Sequence, residues 1–303
     1  MAHSEFYLLC SKLKDVLQMR IPTKISFLFV FFILIFTACN ERQISPLKGS
    51  LKCYVDESLY NVVKTARDTF VARYPGSSIE LVSAKAREGI AAVLNKEAKI
   101  FISTRGLNAE EMTFSEKSKL DLRYFNFCYD AVVPIVNVND SKFQITVQEI
   151  KSLLSGQTKN YKVFVPEHNS GIYEYLKENV LDKKELQNIT IVKSEEEAIS
   201  KVKAARKGIS FVGVNTINDV KGIRVLELGS KIRSDGEVLY YKPYAAYLIT
   251  QNYPFTRTTT IFLNEIGIGL ASGFATFLTS FEGQKIVAKN NLGPATVPIK
   301  MVK

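Results

Sequence analysis

The chain has 303 residues, 46% of them apolar and 23% charged, and its 40 Lys and Arg against 30 Asp and Glu give a formal net charge of +10. That length holds one large domain or two lobes around a sizeable core. Only two histidines occur (His3 and His168), and there is no CxxC, HExxH, Walker or GxSxG pattern, which leaves almost no room for a His-based metal site or triad.

The chain opens on a leader. Ile25 to Ala38 is a 14-residue apolar run preceded by Arg20 and Lys24 and closed by Thr37 and Ala38. A spanning helix needs about 20 such residues. A basic flank, a short apolar segment and a small-residue exit describe a secretory signal peptide over 1–38, with Met19 an alternative start. Cys39 directly after Thr-Ala resembles a bacterial lipobox, with Phe36 where Leu is commoner. The resemblance implies cleavage before Cys39 and lipidation of that cysteine, enough acyl chain for stable anchoring. The alternative is a buried helix of the fold. The mature chain would then hold 265 residues and, after loss of four basic and two acidic residues, 36 basic against 28 acidic, a net +8. Such an excess suits an anionic partner, whether nucleic acid, a membrane surface or a small oxyanion. Export and the absence of a basic block interleaved with aromatics argue against nucleic acid; a merely solvated basic surface is the bland alternative. Cys53 and Cys128 sit in apolar runs and read as two separately buried thiols, with pairing in an oxidising compartment the other possibility.

Residues 39–48 are polar with a proline and read as a tether. Leu51–Val55 predicts a strand and Asp56-Glu57-Ser58 a turn. Leu59, Val62, Val63, Ala66 and Phe70 recur at helical spacing up to Pro75-Gly76. Strands at 79–82 and 98–102 bracket a helix over 84–95, and a further helix follows near 108–119. Alternating strands and helices predict a parallel α/β sheet, whose ligands bind at the carboxyl ends of strands. Asp130–Asn137, long and apolar, reads as a crossing strand. A second alternation follows it: helix 147–154 closed by Gly156, strand 161–165, a loop 166–171, helix 172–179, strand 189–192, helix 194–207 and strands 209–214 and 225–228. Gly229–Gly236 reads as a turn region, Tyr240–Ile249 as an aromatic return and 267–289 as helix. A chain that crosses twice makes one lobe of 49–130 plus 245–303 and another of 131–244, with a hinged cleft between.

Three loops at strand ends face that cleft. Asn169, Ser170 and Gly171 open a helix, where amide hydrogens and the helix dipole favour an anion; ordinary helix capping explains the same residues. Ser58 shares the ambiguity. Arg105 carries a fork suited to a tetrahedral oxyanion, or else forms an ion pair. Asp56 would repel an anion unless the ligand brings a proton; hydrogen phosphate does and sulfate does not, so an acceptor there would reject sulfate. Helix capping is the competing role.

The succession "YVDESLYNVV", "FISTRGLNAEE", "YDAVVPIVN", "HNSGIYEYLK", "ISFVGVN", "YYKPYAAYLITQNYPFTR" and "GLASGFATFLTSFEGQKIVAKNNLGPATVPIKMV" resembles the PstS-type phosphate-binding proteins of ABC transporters, above all a lipoprotein branch of Bacteroidetes-like bacteria. The resemblance covers nearly all of the mature chain and is most specific at the C-terminal end. It implies an α/β fold of the type II periplasmic binding protein: two lobes, each with a central mixed sheet, joined by two crossing strands. It implies Glu57, Ser58, Ser170 and Gly171 around the anion, and the reading of the loops themselves adds Asp56, Arg105 and Asn169 as candidates. Three departures stand out: Ile172 replaces the usual threonine of the Ser-Gly-Thr loop, Arg105 stands where the family has an aspartate, and Val165-Pro-Glu-His lacks the loop arginine. The expected function is capture of phosphate and its delivery to ABC permease subunits by a lipid-anchored periplasmic monomer, with no reaction, metal or cofactor. Another oxyanion or a phosphorylated metabolite is the alternative ligand; an exported hydrolase or a surface lipoprotein with a vestigial cleft are the rival classes.

Overall fold

The computed structural model describes residues 44–232 and 236–296. The leader over 1–38, the start at Met19 and the lipid site Cys39 lie outside the described residues. In chain order the elements are β1 (Gly49–Asp56), a 3-10 turn (Glu57–Leu59), α1 (Tyr60–Arg73), β2 (Ser77–Ala84), α2 (Ala86–Leu94), β3 (Ile100–Ser103), α3 (Ala109–Lys117) and the 15-residue β4 (Arg123–Asn137). Then come β5 (Gln144–Thr146), α4 (Val147–Leu154), β6 (Lys162–Pro166), α5 (Gly171–Tyr175) running into a wider turn (Leu176–Val180), β7 (Ile189–Val192), α6 (Glu195–Ala204), β8 (Gly208–Gly213) and a 3-10 turn (Val214–Ile217). The chain finishes with β9 (Ile223–Val225), β10 (Glu227–Ile232), β11 (Val238–Tyr241), α7 (Ala245–Ile249), β12 (Thr256–Leu263), α8 (Leu270–Thr279), α9 (Phe281–Lys289) and β13 (Gly293–Pro294).

One path of strands runs through the molecule in the order β2-β1-β3-β12-β4-β8-β6-β7, with β13 and β9 added to β4; β11-β10-β5 form a small separate sheet. β1 is parallel to β2 and β3, and β6 is parallel to β7 and β8, as the two βαβ alternations require. The halves join on β4. It pairs antiparallel with β12 from Arg123 to Ala131, then antiparallel with β8 from Val132 to Val136. The Val132 N–H donates to the Phe255 carbonyl at 3.0 Å, so the returning chain accompanies β4 through the crossing. The result is an α/β fold of two lobes with mixed sheets.

Alternation on the strands and helical spacing build the core. Leu51, Cys53 and Val55 of β1 point inward beneath Val62, Val63, Ala66 and Phe70 of α1, and Phe70 meets Phe274 and Phe277 of α8 edge-on, each at 5.4 Å. Burial of each large apolar side chain is worth about 1.5–3 kcal/mol. Ala131–Val136 of β4 and the paired β8 are apolar and buried on both faces, as expected where helices cover both sides of a sheet. Cys53 and Cys128 are free, buried thiols on different strands, and burial raises both pKa values.

Several boundaries differ from the sequence pattern for local reasons. β4 begins at Arg123, well before the apolar run, because Arg123–Asn126 lie on an exposed stretch paired with β12. The expected helix over 267–289 is two helices: Ser280 leaves the helical conformation at ψ 169° and caps α9. Gly229, expected in a turn, lies within β10, whose register against β11 shifts between Gly229 and Lys231.

Candidate functional site

At its end β1 delivers Asp56 into the interior, 1% exposed. Its Oδ1 accepts the Ser58 N–H at 3.1 Å, the capping role, and its Oδ2 accepts the Thr104 hydroxyl at 2.8 Å. Thr104 follows β3, so the ends of two neighbouring parallel strands converge, as the topology of such sheets dictates. Burial pushes the Asp56 carboxyl up; Arg257, Thr104 and the Ser58 amide pull against that.

From the other half comes the start of α5. The Ser170 hydroxyl, fully buried, accepts the Tyr173 N–H at 3.1 Å and caps the helix. Gly171 approaches so closely that a Cβ there would lie 2.1 Å from Thr104 Oγ1 and 3.1 Å from Asp56 Oδ2. No side chain fits, which is why glycine stands at this turn. Glu195, the first residue of α6, is also buried: its Oε1 meets the Ser58 hydroxyl at short range, and its Oε2 accepts the Gly213 N–H and the Thr216 hydroxyl, each at 2.7 Å. Burial raises the Glu195 pKa, against Arg257 and these three donors.

β12 supplies the cation. Arg257 is 6% exposed, and its Nε donates to Asp130 Oδ2 of β4 at 2.8 Å, with Nη2 2.6 Å from the same oxygen. Nevertheless neither Nη1 nor Nη2 aims an N–H at an acceptor, and Asp130 Oδ1 has no donor. Nη2 lies in an ion pair by distance, but its hydrogens are not spent on it. Burial would lower the arginine pKa; Asp130, Asp56 and Glu195 more than restore it. A buried guanidinium with idle donors, flanked by hydroxyls, is arranged to take an oxyanion. With three carboxylates against one arginine, that anion has to bring protons or have the carboxylates carry them.

Of the residues expected from sequence, Asp56, Ser58, Ser170 and Gly171 come together. Three do not. Glu57 turns away from the buried cluster toward the cleft and Lys85, whose Nζ donates to both its oxygens at 3.0 and 2.9 Å; burial and the nearby Glu195 push its pKa up to about 8. Asn169 donates to Glu88 at 2.6 Å. Arg105, expected to supply the positive charge, is instead held by Glu111, Nη1 at 2.7 Å and Nη2 at 2.8 Å, by the Gly106 carbonyl, and through Nε by Glu174 of α5. Four of its five N–H donors are taken, whereas the buried cation of the cluster is Arg257. Thr104, Asp130, Glu195 and Arg257 were missed. The signal for Arg257 was available: a lone arginine inside Thr256–Leu263, a run of β-branched residues that reads as a strand.

Beside the buried cluster a cleft of about 440 Å³ opens between the halves, lined among others by Glu57, Tyr60, Lys85, Glu88, Glu196 and Thr216. Around its rim the halves touch: Lys85 Nζ reaches the Lys193 carbonyl at 2.6 Å, and Arg87 and Arg105 both reach Glu174. The structure is therefore a closed form, with its polar groups enclosed.

Two α/β lobes that meet over a buried arginine with unspent N–H donors have the layout of a binding protein of the clamp type. A family profile described as a PBP superfamily domain matches residues 40–282, and the chain belongs to that superfamily. It is similar to the phosphate-binding protein PstS of Borreliella burgdorferi, 27% identical over 222 residues, 66% of this chain and 73% of that protein. Among solved structures it is similar to a protein from Clostridium perfringens described as a phosphate ABC transporter substrate-binding protein with bound phosphate (TM-score 0.70, 20% identity, 82% of this chain and 100% of that one). An ABC-type phosphate transport receptor from Vibrio cholerae shares the fold at a TM-score of 0.62 and 14% identity, over 80% of this chain and 99% of its own.

Proposed function

We propose that this protein captures phosphate between its two lobes and delivers it to the permease of an ABC transporter, without catalysing a reaction. The observation that carries the reading is Arg257, buried where elements of both halves meet, with neither Nη1 nor Nη2 aiming an N–H at an acceptor and Nη2 held only in the ion pair with Asp130. The acceptors Asp56 and Asp130 select an anion that carries a proton. The relatives named for phosphate support the same ligand. The arginine missing from the second-lobe loop is supplied from β12, and Ile172, where a threonine was expected, is buried in the core. The exchange of partners along β4 at Ala131 and Val132 supports lobes of 49–130 plus 245–303 and of 131–244. The leader and a lipid on Cys39 complete the reading as a periplasmic, membrane-anchored monomer that binds no nucleic acid. No helix among the described residues is long and apolar enough to cross a membrane.

Isothermal titration with phosphate, arsenate and sulfate tests the ligand. Phosphate and arsenate bind with micromolar or tighter affinity and sulfate does not; silence toward phosphate at millimolar concentration overturns the proposal. The cleft beside the cluster gives room for an organic substituent, so a phosphate monoester binding more tightly than phosphate would move the reading to a phosphorylated metabolite.

A further inference from the structure

We infer that Glu195 sets the direction of the Ser58 hydroxyl, and that the Glu195–Ser58 pair shares one proton with the bound anion, so that filling the site takes up a proton whenever the anion arrives without it. The inference rests on the phosphate reading of the site.

The geometry leaves few choices. A serine hydroxyl has one hydrogen to give and lone pairs to accept with. Glu195 Oε2 is already filled by the Gly213 N–H and the Thr216 hydroxyl, both at 2.7 Å. The remaining oxygen, Oε1, faces Ser58 Oγ at short range. Any proton on Glu195 must therefore sit on Oε1 and point at Ser58. The same serine faces the anion's place: a Cβ built on Gly213 would lie 3.0 Å from Ser58 Oγ and 3.3 Å from Arg257 Nη2, so the hydroxyl and the idle guanidinium nitrogen border one spot.

Two proton arrangements follow. With Glu195 ionised, Ser58 donates to it and can only accept from the ligand, which must present a P–OH. With Glu195 protonated, the acid donates to Ser58, and the serine hydrogen turns to a bare phosphate oxygen. Both arrangements hold the same number of protons along Glu195, Ser58 and phosphate. Dihydrogen phosphate meeting ionised Glu195 brings the proton itself. Hydrogen phosphate carries a single P–OH; with that proton given to the acceptor Asp56, none is left for Ser58 beside ionised Glu195, and one proton enters from solvent. Sulfate fits only the second arrangement. Arg257 on β12 and Glu57, itself paired with Lys85, act on the pair directly, and Asp56 at the end of β1 and Asp130 on β4 share Arg257 with it. The Val214–Ile217 turn offers only Asn215 and Thr216, which do not ionise. Burial raises the pKa of Glu195, which makes the shared proton easier to hold near neutrality.

Glu195→Gln tests this directly. The amide nitrogen donates to Ser58 permanently, while its oxygen still receives Gly213 and Thr216. Phosphate titrations above neutral pH, repeated in buffers of different ionisation heat, count the protons taken up. The wild-type protein takes up one proton more than Glu195→Gln, and its phosphate affinity falls with rising pH by a further tenfold per pH unit relative to the variant. The variant's preference for phosphate over sulfate narrows about tenfold. Equal proton uptake by the two proteins overturns the inference. A wild-type protein that binds no phosphate overturns the functional reading beneath it, a distinct result. If Glu195→Gln does not fold, Ser58→Ala removes the same relay and has to lose the same proton.

Discussion

Arg105 and Arg257 both lie where the two halves meet, and both are surrounded by acid. Arg105 is spent: Glu111 grips Nη1 and Nη2, the Gly106 carbonyl takes a further N–H and Glu174 of the opposite half takes Nε. Arg257 gives Nε to Asp130 and keeps both Nη groups idle in a fully buried position. The same residue type thus does two jobs, set by how many of its five donors the protein itself consumes. A saturated arginine at a rim clasps one half to the other; an unsaturated one inside is a receptor waiting for oxygen.

The sharpest break of this comparison is Arg257→Ala. It removes the receptor and strands Asp130 as a buried, unpaired carboxylate, so phosphate affinity falls at least a hundredfold, about 2.7 kcal/mol, and the fold loses about 3–5 kcal/mol. Calorimetry reads the first and denaturant unfolding the second; Arg257→Lys separates charge from geometry, restoring stability before affinity. Gly171→Ala comes next. The added carbon collides with Thr104 across the closed interface, so affinity falls at least tenfold while unfolding of the free protein changes little. Ser170→Ala removes a cap worth about 1 kcal/mol and should weaken phosphate about fivefold. Arg105→Ala loses only partly exposed ion pairs, worth at most about 1 kcal/mol. It should weaken binding two- to threefold, an effect that shrinks with added salt; a hundredfold loss would erase the distinction between the two arginines.

The smallest effect concerns Glu57. Its folded pKa, about 8, lies above the ordinary 4.5, so the folded state holds the proton more firmly than the unfolded one. Stability from this group is complete below pH 4.5 and is lost as pH rises toward 8. Melting of the ligand-free wild-type protein should therefore decline from pH 5 to pH 8 more steeply than that of Glu57→Gln, with phosphate affinity nearly equal in the two. Identical slopes would remove Glu57 as the source.

Much of the fold was legible because its signals are local. The two βαβ alternations, the apolar crossing strand and the helix spacing of Leu59 to Phe70 follow from residue patterns a few positions long. The anion site was half legible for the same reason. Asp56, Ser58, Ser170 and Gly171 lie at strand-to-helix turns, which a sequence marks. Asp130 and Arg257 do not, and Glu195, though at the β7-to-α6 turn, reads as an ordinary first-turn acid of a helix. Ser58 and Glu195 are 137 residues apart, as are Arg257 and Asp130 by 127, and only the closed topology brings them together. Arg105 lies at the strand end the sequence indicates, but most of its donors are taken by Glu111, the Gly106 carbonyl and Glu174 of the other half, which no local pattern announces. β12 was a plain omission, since Thr256–Leu263 is rich in β-branched residues and reads as strand on its own composition.

The unbroken run of β4 through both sheets has a mechanical corollary. Ile44 leads into β1, and the other described end, next to β13, pairs back onto Tyr129 and Cys128 of the same half. A load, a tag or a surface attachment at either end therefore enters one lobe only and leaves the clamp unstressed. A pair of fluorophores meant to report opening must place one label between β5 and β11, since labels at the two ends would travel together.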